Sequence, residues 1–136
     1  DCVPDAKALQ KHGIPITLVA GNCDWDSSEP TILTPTFEGV KIYMTHGHLH
    51  SVKIQYQKIV YAALEAGADL ALFGHTHGGQ FAVFGWTPAS YNFPELSGMY
   101  YEGDRTLNVS TGLGGVIPMR LGVTPEIVVI TLRLRK

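Results

Sequence analysis

Five of the six histidines in the sequence lie between residues 46 and 77, at positions 46, 48, 50, 75 and 77, and only His12 is elsewhere. Four of the five sit in two short turns, Thr45-His46-Gly47-His48 and Gly74-His75-Thr76-His77. A third turn, Gly21-Asn22-Cys23-Asp24, offers an amide, a thiol and a carboxylate. The chemistry that suits this set is divalent-metal binding. Imidazole is a ligand for zinc, iron, nickel, cobalt and manganese, and an amide oxygen such as that of Asn22 can complete a coordination shell. His75 and His77 are two residues apart, so extended backbone would project both to one side with Cα atoms about 6.5 Å apart. Metals in two-metal hydrolytic sites lie about 3.5–4 Å apart, so each ring could reach a different ion. Glycines at 21, 47 and 74 would let the backbone turn sharply and come close to the ions. A single histidine at a strand end is ordinarily a solvated or core residue. Three such turns, each directly after an apolar run, are hard to obtain by accident. His50 is read as an exposed loop residue, and His48 as facing substrate or supporting the ligands.

The elements that must position these turns follow from periodicity. Residues 4–12 read as a short helix stopped by Gly13. Ile14 to Ala20 is a continuous apolar run, the pattern of a strand buried on both faces. Residues 25–35 read as loop, and residues 37–40 as a turn feeding a strand from Lys41 to Thr45. Tyr56, Ile59, Val60, Ala63 and Leu64 repeat at helical spacing, with Gly67 placed as C-terminal cap. Ala68 to Phe73 is a third buried strand. Strand, helix, strand in that order implies a right-handed βαβ crossover with parallel strands. Parallel strands bring their C-terminal ends to one edge of the sheet, where α/β folds bind ligands. Gln80–Phe84, Thr106–Ser110 and Ile127–Leu134 read as short antiparallel strands of a second layer.

The 136 residues bound the chain to one domain, long enough for a single core. A net charge of −2 supplies no basic field for nucleic acid, and sequence-specific nucleic-acid recognition is not expected. No apolar run reaches the roughly 18 residues of a membrane span. Cys2 and Cys23 make no disulfide framework, which suits a reducing, cytoplasmic setting.

The three turns resemble the motifs of the calcineurin-like metallophosphoesterases. Gly21-Asn22-Cys23-Asp24 is similar to that family's Gly-Asn-His-Asp/Glu, with Cys in place of His. Thr45-His46-Gly47-His48 resembles its single-histidine turn, and Gly74-His75-Thr76-His77 its closing Gly-His-x-His. The stretch from Gly21 to His77, including THGHLHSVK, resembles the small bacterial and archaeal phosphodiesterases; STGLGGVIPMRLGVTPEIVVITL looks more like another branch, which includes membrane-proximal phosphohydrolases. The resemblance implies an α/β fold, a layered αββα sandwich that is incomplete here: a βαβ unit followed by short, mostly antiparallel strands. It implies Asn22, His46 and His75 as ligands of one metal and His77 as ligand of another, with Asp24 orienting its neighbours. Cys23 occupies a position where many members carry a phosphate-contacting histidine, so leaving-group assistance would fall to His48 or to water. Two divalent metals are implied for the complete enzyme, manganese foremost, with nickel, iron, zinc, cobalt or magnesium as alternatives. The implied reaction is hydrolysis of a small phosphate ester by metal-bound hydroxide.

The family's Asp-x-His and Gly-Asp motifs are absent from this sequence, and the chain opens on Asp1. An N-terminal portion is therefore expected to be missing, with one metal at most binding well, an exposed apolar sheet edge and marginal stability. A catalytically incomplete scaffold or binding module of the same fold is the rival reading, a mononuclear structural metal site a third, and self-association is left open. A covalent role for Cys23 is disfavoured because no Cys-x5-Arg loop follows it. The aromatic residues Phe81, Phe84, Trp86, Tyr91, Phe93, Tyr100 and Tyr101 are read as packing between sheets or on a lid, or else as a wall for an apolar part of a substrate. Arg120 is read either as a phosphate contact or as a surface salt bridge.

Overall fold

The computed structural model describes residues 3–84, 86–91, 97–102, 105–115 and 119–133. Helix α1 spans Val3–Gln10, and Gly13 (φ 78) follows it with its amide on the Gln10 carbonyl at 3.0 Å. The sheet is built around β3, Val40–Thr45. One edge of β3 pairs with β1 (Ile32–Leu33) and then β2 (Thr36–Phe37), both antiparallel, in registers Leu33↔Met44 and Phe37↔Val40. These two pieces are one strand interrupted at Thr34-Pro35, where proline has no N–H to give the ladder; the Pro35 carbonyl still accepts from Ile42 at 2.8 Å. Glu38 and Gly39 form the hairpin turn with φ of 49° and 86°, both positive as a two-residue turn of the right twist requires.

The other edge of β3 pairs in parallel with β4, Leu70–Leu72, in register Tyr43↔Ala71. Helix α2, Gln57–Glu65, makes the crossover. Its C-terminus closes as a Schellman motif: Gly67 (φ 66) donates to Leu64 at 2.9 Å and Ala68 to Ala63 at 2.9 Å. The core under this unit is small, with Tyr43, Val52, Ile59 and Ala63 buried and Tyr56, Ala71 and Phe73 packed against them. Val60 and Leu64 of the helical stripe instead face outward. The βαβ unit expected from periodicity is present. A second sheet is the hairpin β5 (Gly98–Glu102) and β6 (Arg105–Val109).

Four expectations are corrected. Ile14–Ala20 forms no strand; Ala20 alone reaches a neighbouring backbone, donating to the Pro30 carbonyl at 2.8 Å, and Ile14 is exposed. An apolar run becomes a strand only where a ladder partner lies beside it, and among the described residues none does. For the same reason residues 127–133 are not a strand, although Ile127 and Val129 are apolar and 76% and 88% exposed. Gln80–Phe84 makes only isolated bridges, Phe81 with Leu121 and Val83 with Trp86. Phe84, Trp86, Tyr91 and Tyr101 do not pack between sheets but stand at the surface, while Phe93 lies outside the described residues. No helix among the described residues is long and apolar enough to cross a membrane.

Candidate metal centre

The end of β3 delivers His46 and the end of β4 delivers His75, and the parallel ladder continues beyond both strands: the Gly74 amide donates to the His46 carbonyl at 3.2 Å. The imidazoles of His46 and His75 consequently meet edge to face, with ring centroids 4.7 Å apart. His48 joins them, at 5.3 Å from His46 and 6.3 Å from His75, and its Nδ1 lies 3.2 Å from Nδ1 of His46. Two ring nitrogens at that distance share a proton only if one is protonated and the other is not.

Gly47 makes the first turn, with φ 102. A Cβ there would lie 2.9 Å from Val52 Cγ2 and 3.1 Å from the Gly74 oxygen, so the His46 turn and the Gly74 turn touch through a residue with no side chain. Gly74 itself needs no special conformation. The left-handed backbone falls on His75 (φ 82) and His77 (φ 51), followed by Gly78, Gly79 and Gln80 at 60°, 79° and 59°. His75 and His77 are therefore not on extended backbone, as their spacing suggests, and His77 opens a 3-10 turn, His77–Gly79. Non-glycine residues in this region carry steric strain that clusters at functional sites.

The Gly21–Asp24 turn closes the third side. The position of a Cβ on Gly21 would be 3.1 Å from His46 Cδ2, so only glycine lets this backbone lie against the ring. The Asp24 carboxylate fixes the turn, accepting from Gly21 N and from Val3 N, each at 2.8 Å. Asn22 and Cys23 are exposed; the Asn22 amide donates to Cys23 Sγ at 3.4 Å, and the thiol is free. Thus the structure brings His46, His48 and His75 together, sets Gly21 and Asp24 beside His46, and places Asn22 and Cys23 at the rim. His50 is not an exposed loop residue: it is half-buried, with Nε2 2.9 Å from the Tyr43 hydroxyl.

Burial pushes His46, His75 and His77 toward the neutral ring. It is the main cause that lowers His46 from 6.5 to about 4, aided by the His48 and His77 rings and opposed by the Asp24 carboxylate. His75 is likewise lowered to about 4, by burial and then by the Lys53 ammonium. His77 is lowered by burial and by the Arg120 guanidinium, while a hydrogen bond to the Gly114 backbone partly offsets this. Lys53 was not singled out from the sequence, yet its charge bears on His46, His75 and His77 together. Its position five residues after His48, one turn past the motif, was the available signal. Among the described residues Arg120 makes no salt bridge: it is half-buried, with Nη2 on the backbone carbonyls of Thr111 and Gly114.

Unprotonated imidazoles gathered at one sheet edge fit a divalent cation in kind, since a metal ligand must be the neutral ring. The fit is open, not closed. Among the described residues no three His, Cys, Asp or Glu side chains are disposed around one ion.

The fold and these turns define a phosphoesterase-type α/β domain. The family model of the calcineurin-like phosphoesterase superfamily domain matches residues 1–85, and the chain belongs to that superfamily. The match takes in all three turns and stops short of Arg120. The chain is similar to the probable metallophosphoesterase YsnB of Bacillus subtilis (strain 168), with 43% identity over 63 residues, which are 46% of this chain and 37% of that protein. A crystal structure of a conserved uncharacterized protein from Streptococcus pneumoniae TIGR4, described as a predicted phosphoesterase, superposes with a TM-score of 0.50. Identity is 26%, covering 73% of this chain and 48% of that one. The chain thus spans less than half the length of both relatives.

Proposed function

We propose that this domain serves a metal-dependent phosphoesterase acting on a small phosphate mono- or diester, in the cytoplasm and with manganese as the working metal. The observation that carries the reading is the approach of His46 and His75, 29 residues apart in the chain, with rings 4.7 Å apart and both held neutral. In this reading His46 and His75, with the Asn22 amide oxygen, hold one divalent ion, and His77 holds a second. Such ions supply Lewis acidity toward phosphate oxygens and activate water. The chain's own part is to hold the ligands and govern protons. Asp24 fixes the backbone that presents Asn22. His48, hydrogen-bonded to His46 through a ring nitrogen, protonates the leaving oxygen, a duty the Cys23 thiol cannot perform as a cationic donor. The Lys53 ammonium attracts the phosphate and disfavours protonation of His46, His75 and His77.

A binding module without catalysis is the second reading, favoured by the absence of a closed three-ligand set among the described residues. Calorimetric titration with Mn2+ separates the two, run beside bis-p-nitrophenyl phosphate hydrolysis with Mn2+ or with chelator. Mn2+ binding that disappears in His46→Ala and in His75→Ala supports the metal reading. A folded wild-type protein that takes up no Mn2+ establishes the binding module instead.

A further inference from the structure

We propose that Thr45 is a positioning residue: its hydroxyl joins the turn that carries Asn22 to the turn that carries His46. Thr45 ends β3 and is buried, with 2% of its surface exposed. A threonine hydroxyl has one proton to donate and two lone pairs to accept with. Here the proton goes to the Thr31 carbonyl at 2.9 Å, and a lone pair takes the Gly47 amide at 3.4 Å. The second bond spans i to i+2, the local closure by which a threonine hydroxyl supports a turn. It bears on Gly47 at φ 102, the left-handed residue between His46 and His48. The first bond leaves the turn altogether and reaches a segment 14 residues earlier.

From Thr31 the connection continues to Asn22. The carbonyl next to that of Thr31, on Pro30, accepts the Ala20 amide at 2.8 Å. Ala20 is buried and directly precedes Gly21, whose backbone lies so close to the His46 ring that a Cβ would meet Cδ2 at 3.1 Å. The path from Thr45 through Thr31, Pro30, Ala20 and Gly21 thus returns to His46, the chain neighbour of Thr45. This circuit matters because the two neighbours of the His46 ring are held differently. His75 is registered by the pairing of β3 with β4 and by the Gly74 amide on the His46 carbonyl. Residues 14–20 form no strand, so sheet pairing does not set where Gly21 and Asn22 stand relative to His46. β1 pairs with β3 as far as Ile32↔Thr45, and the Thr45 hydroxyl carries that register one residue further, to the Pro30-Thr31 pair that holds Ala20. Valine in its place would keep the branched shape and delete both bonds.

This role rests on the reading that Asn22 and His46 share an ion, and the experiment keeps the two apart. The metal-free protein is observed by 1H NMR for a slowly exchanging Thr45 hydroxyl proton and for a nuclear Overhauser contact between Gly21 Hα and His46 Hδ2. Mn2+ affinity is measured by calorimetry for wild type, Thr45→Val, Thr45→Ser and His46→Ala. Wild type is expected to show both NMR signals. Thr45→Val is expected to lose the Gly21–His46 contact while contacts between β3 and β4 persist, and to bind Mn2+ about 10–100-fold more weakly. Thr45→Ser, which keeps the hydroxyl, should restore both. A wild-type protein lacking the hydroxyl signal or the contact overturns the inference, without any variant having to fold. So does a Thr45→Val protein that keeps the contact or the wild-type affinity while His46→Ala loses Mn2+, and so does a Thr45→Ser protein that behaves as Thr45→Val. Unchanged Mn2+ affinity in His46→Ala would instead remove His46 from the ligands. Loss of the contact in Thr45→Val and its return in Thr45→Ser would then still stand for the positioning.

Discussion

The Gly74 amide donates to the His46 carbonyl, one step past the last paired residues of β3 and β4. That bond makes two histidine turns a single object: His46 precedes Gly47, His75 follows Gly74, and neither turn can shift along the sheet without the other.

Position 47 should therefore tolerate nothing larger than glycine. Gly47→Ala places a methyl at φ 102, 2.9 Å from Val52 Cγ2 and 3.1 Å from the Gly74 oxygen. Left-handed strain and overpacking together should cost about 2–4 kcal/mol. Urea denaturation measures this, and a cost below about 0.5 kcal/mol would mean that the turns are not in contact.

Acid should destabilise the protein through His46 and His75. Both are lowered from 6.5 to about 4 in the fold, so between those values the unfolded chain binds more protons than the folded one. Their contribution is then fully present above pH 6.5 and lost as pH falls toward 4. Urea midpoints measured from pH 7.5 to 4.5 should fall in wild type and fall less between pH 6.5 and 5 in the His46→Gln/His75→Gln double variant. Parallel profiles for the two proteins would contradict the assignment.

Lys53 should act on three histidines at once. Replacing it in Lys53→Met removes a positive charge that disfavours imidazolium at His46, His75 and His77. The NMR titration midpoints of all three should rise, His75 most, because Lys53 ranks directly after burial among its influences. Midpoints that stay in place would put the ammonium elsewhere.

His75 carries its strain for a reason other than folding. Relief of its left-handed backbone in His75→Gly returns about 1–2 kcal/mol and the added chain freedom costs about 0.5–1 kcal/mol. Thermal melts should show the variant at least as stable as wild type, while Mn2+ binding disappears. A clear loss of stability would show that the ring is a packing element.

What could be read in the sequence was local. The α2 stripe with its glycine cap, the β3 and β4 runs and the three polar turns are each contained in a short window, and each occurs in the structure. Strand formation at Ile14–Ala20 and over residues 127–133 was not legible, because a strand belongs to two segments and its apolar pattern names only one. The conformation of His75 was hidden too: a two-residue spacing reads as extended backbone, and nothing in it announces a φ of 82°. The Thr111 and Gly114 carbonyls that hold Arg120 were beyond reach for a simpler reason, since every residue has one.

The two halves of the histidine cluster hang from supports of unequal persistence. His46 and His75 extend from β3 and β4, paired across three residues and backed by buried Ile59 and Val52. His77 leans on loops tied by individual bonds from Arg120, Gln80 and Thr111. Local opening proceeds from the regions with the fewest ladder bonds and least buried apolar contact. Amides of 111–115 and 119–126 should thus exchange with solvent before those of 42–45, and gentle warming should loosen the turn at His77 while His46 and His75 still face one another.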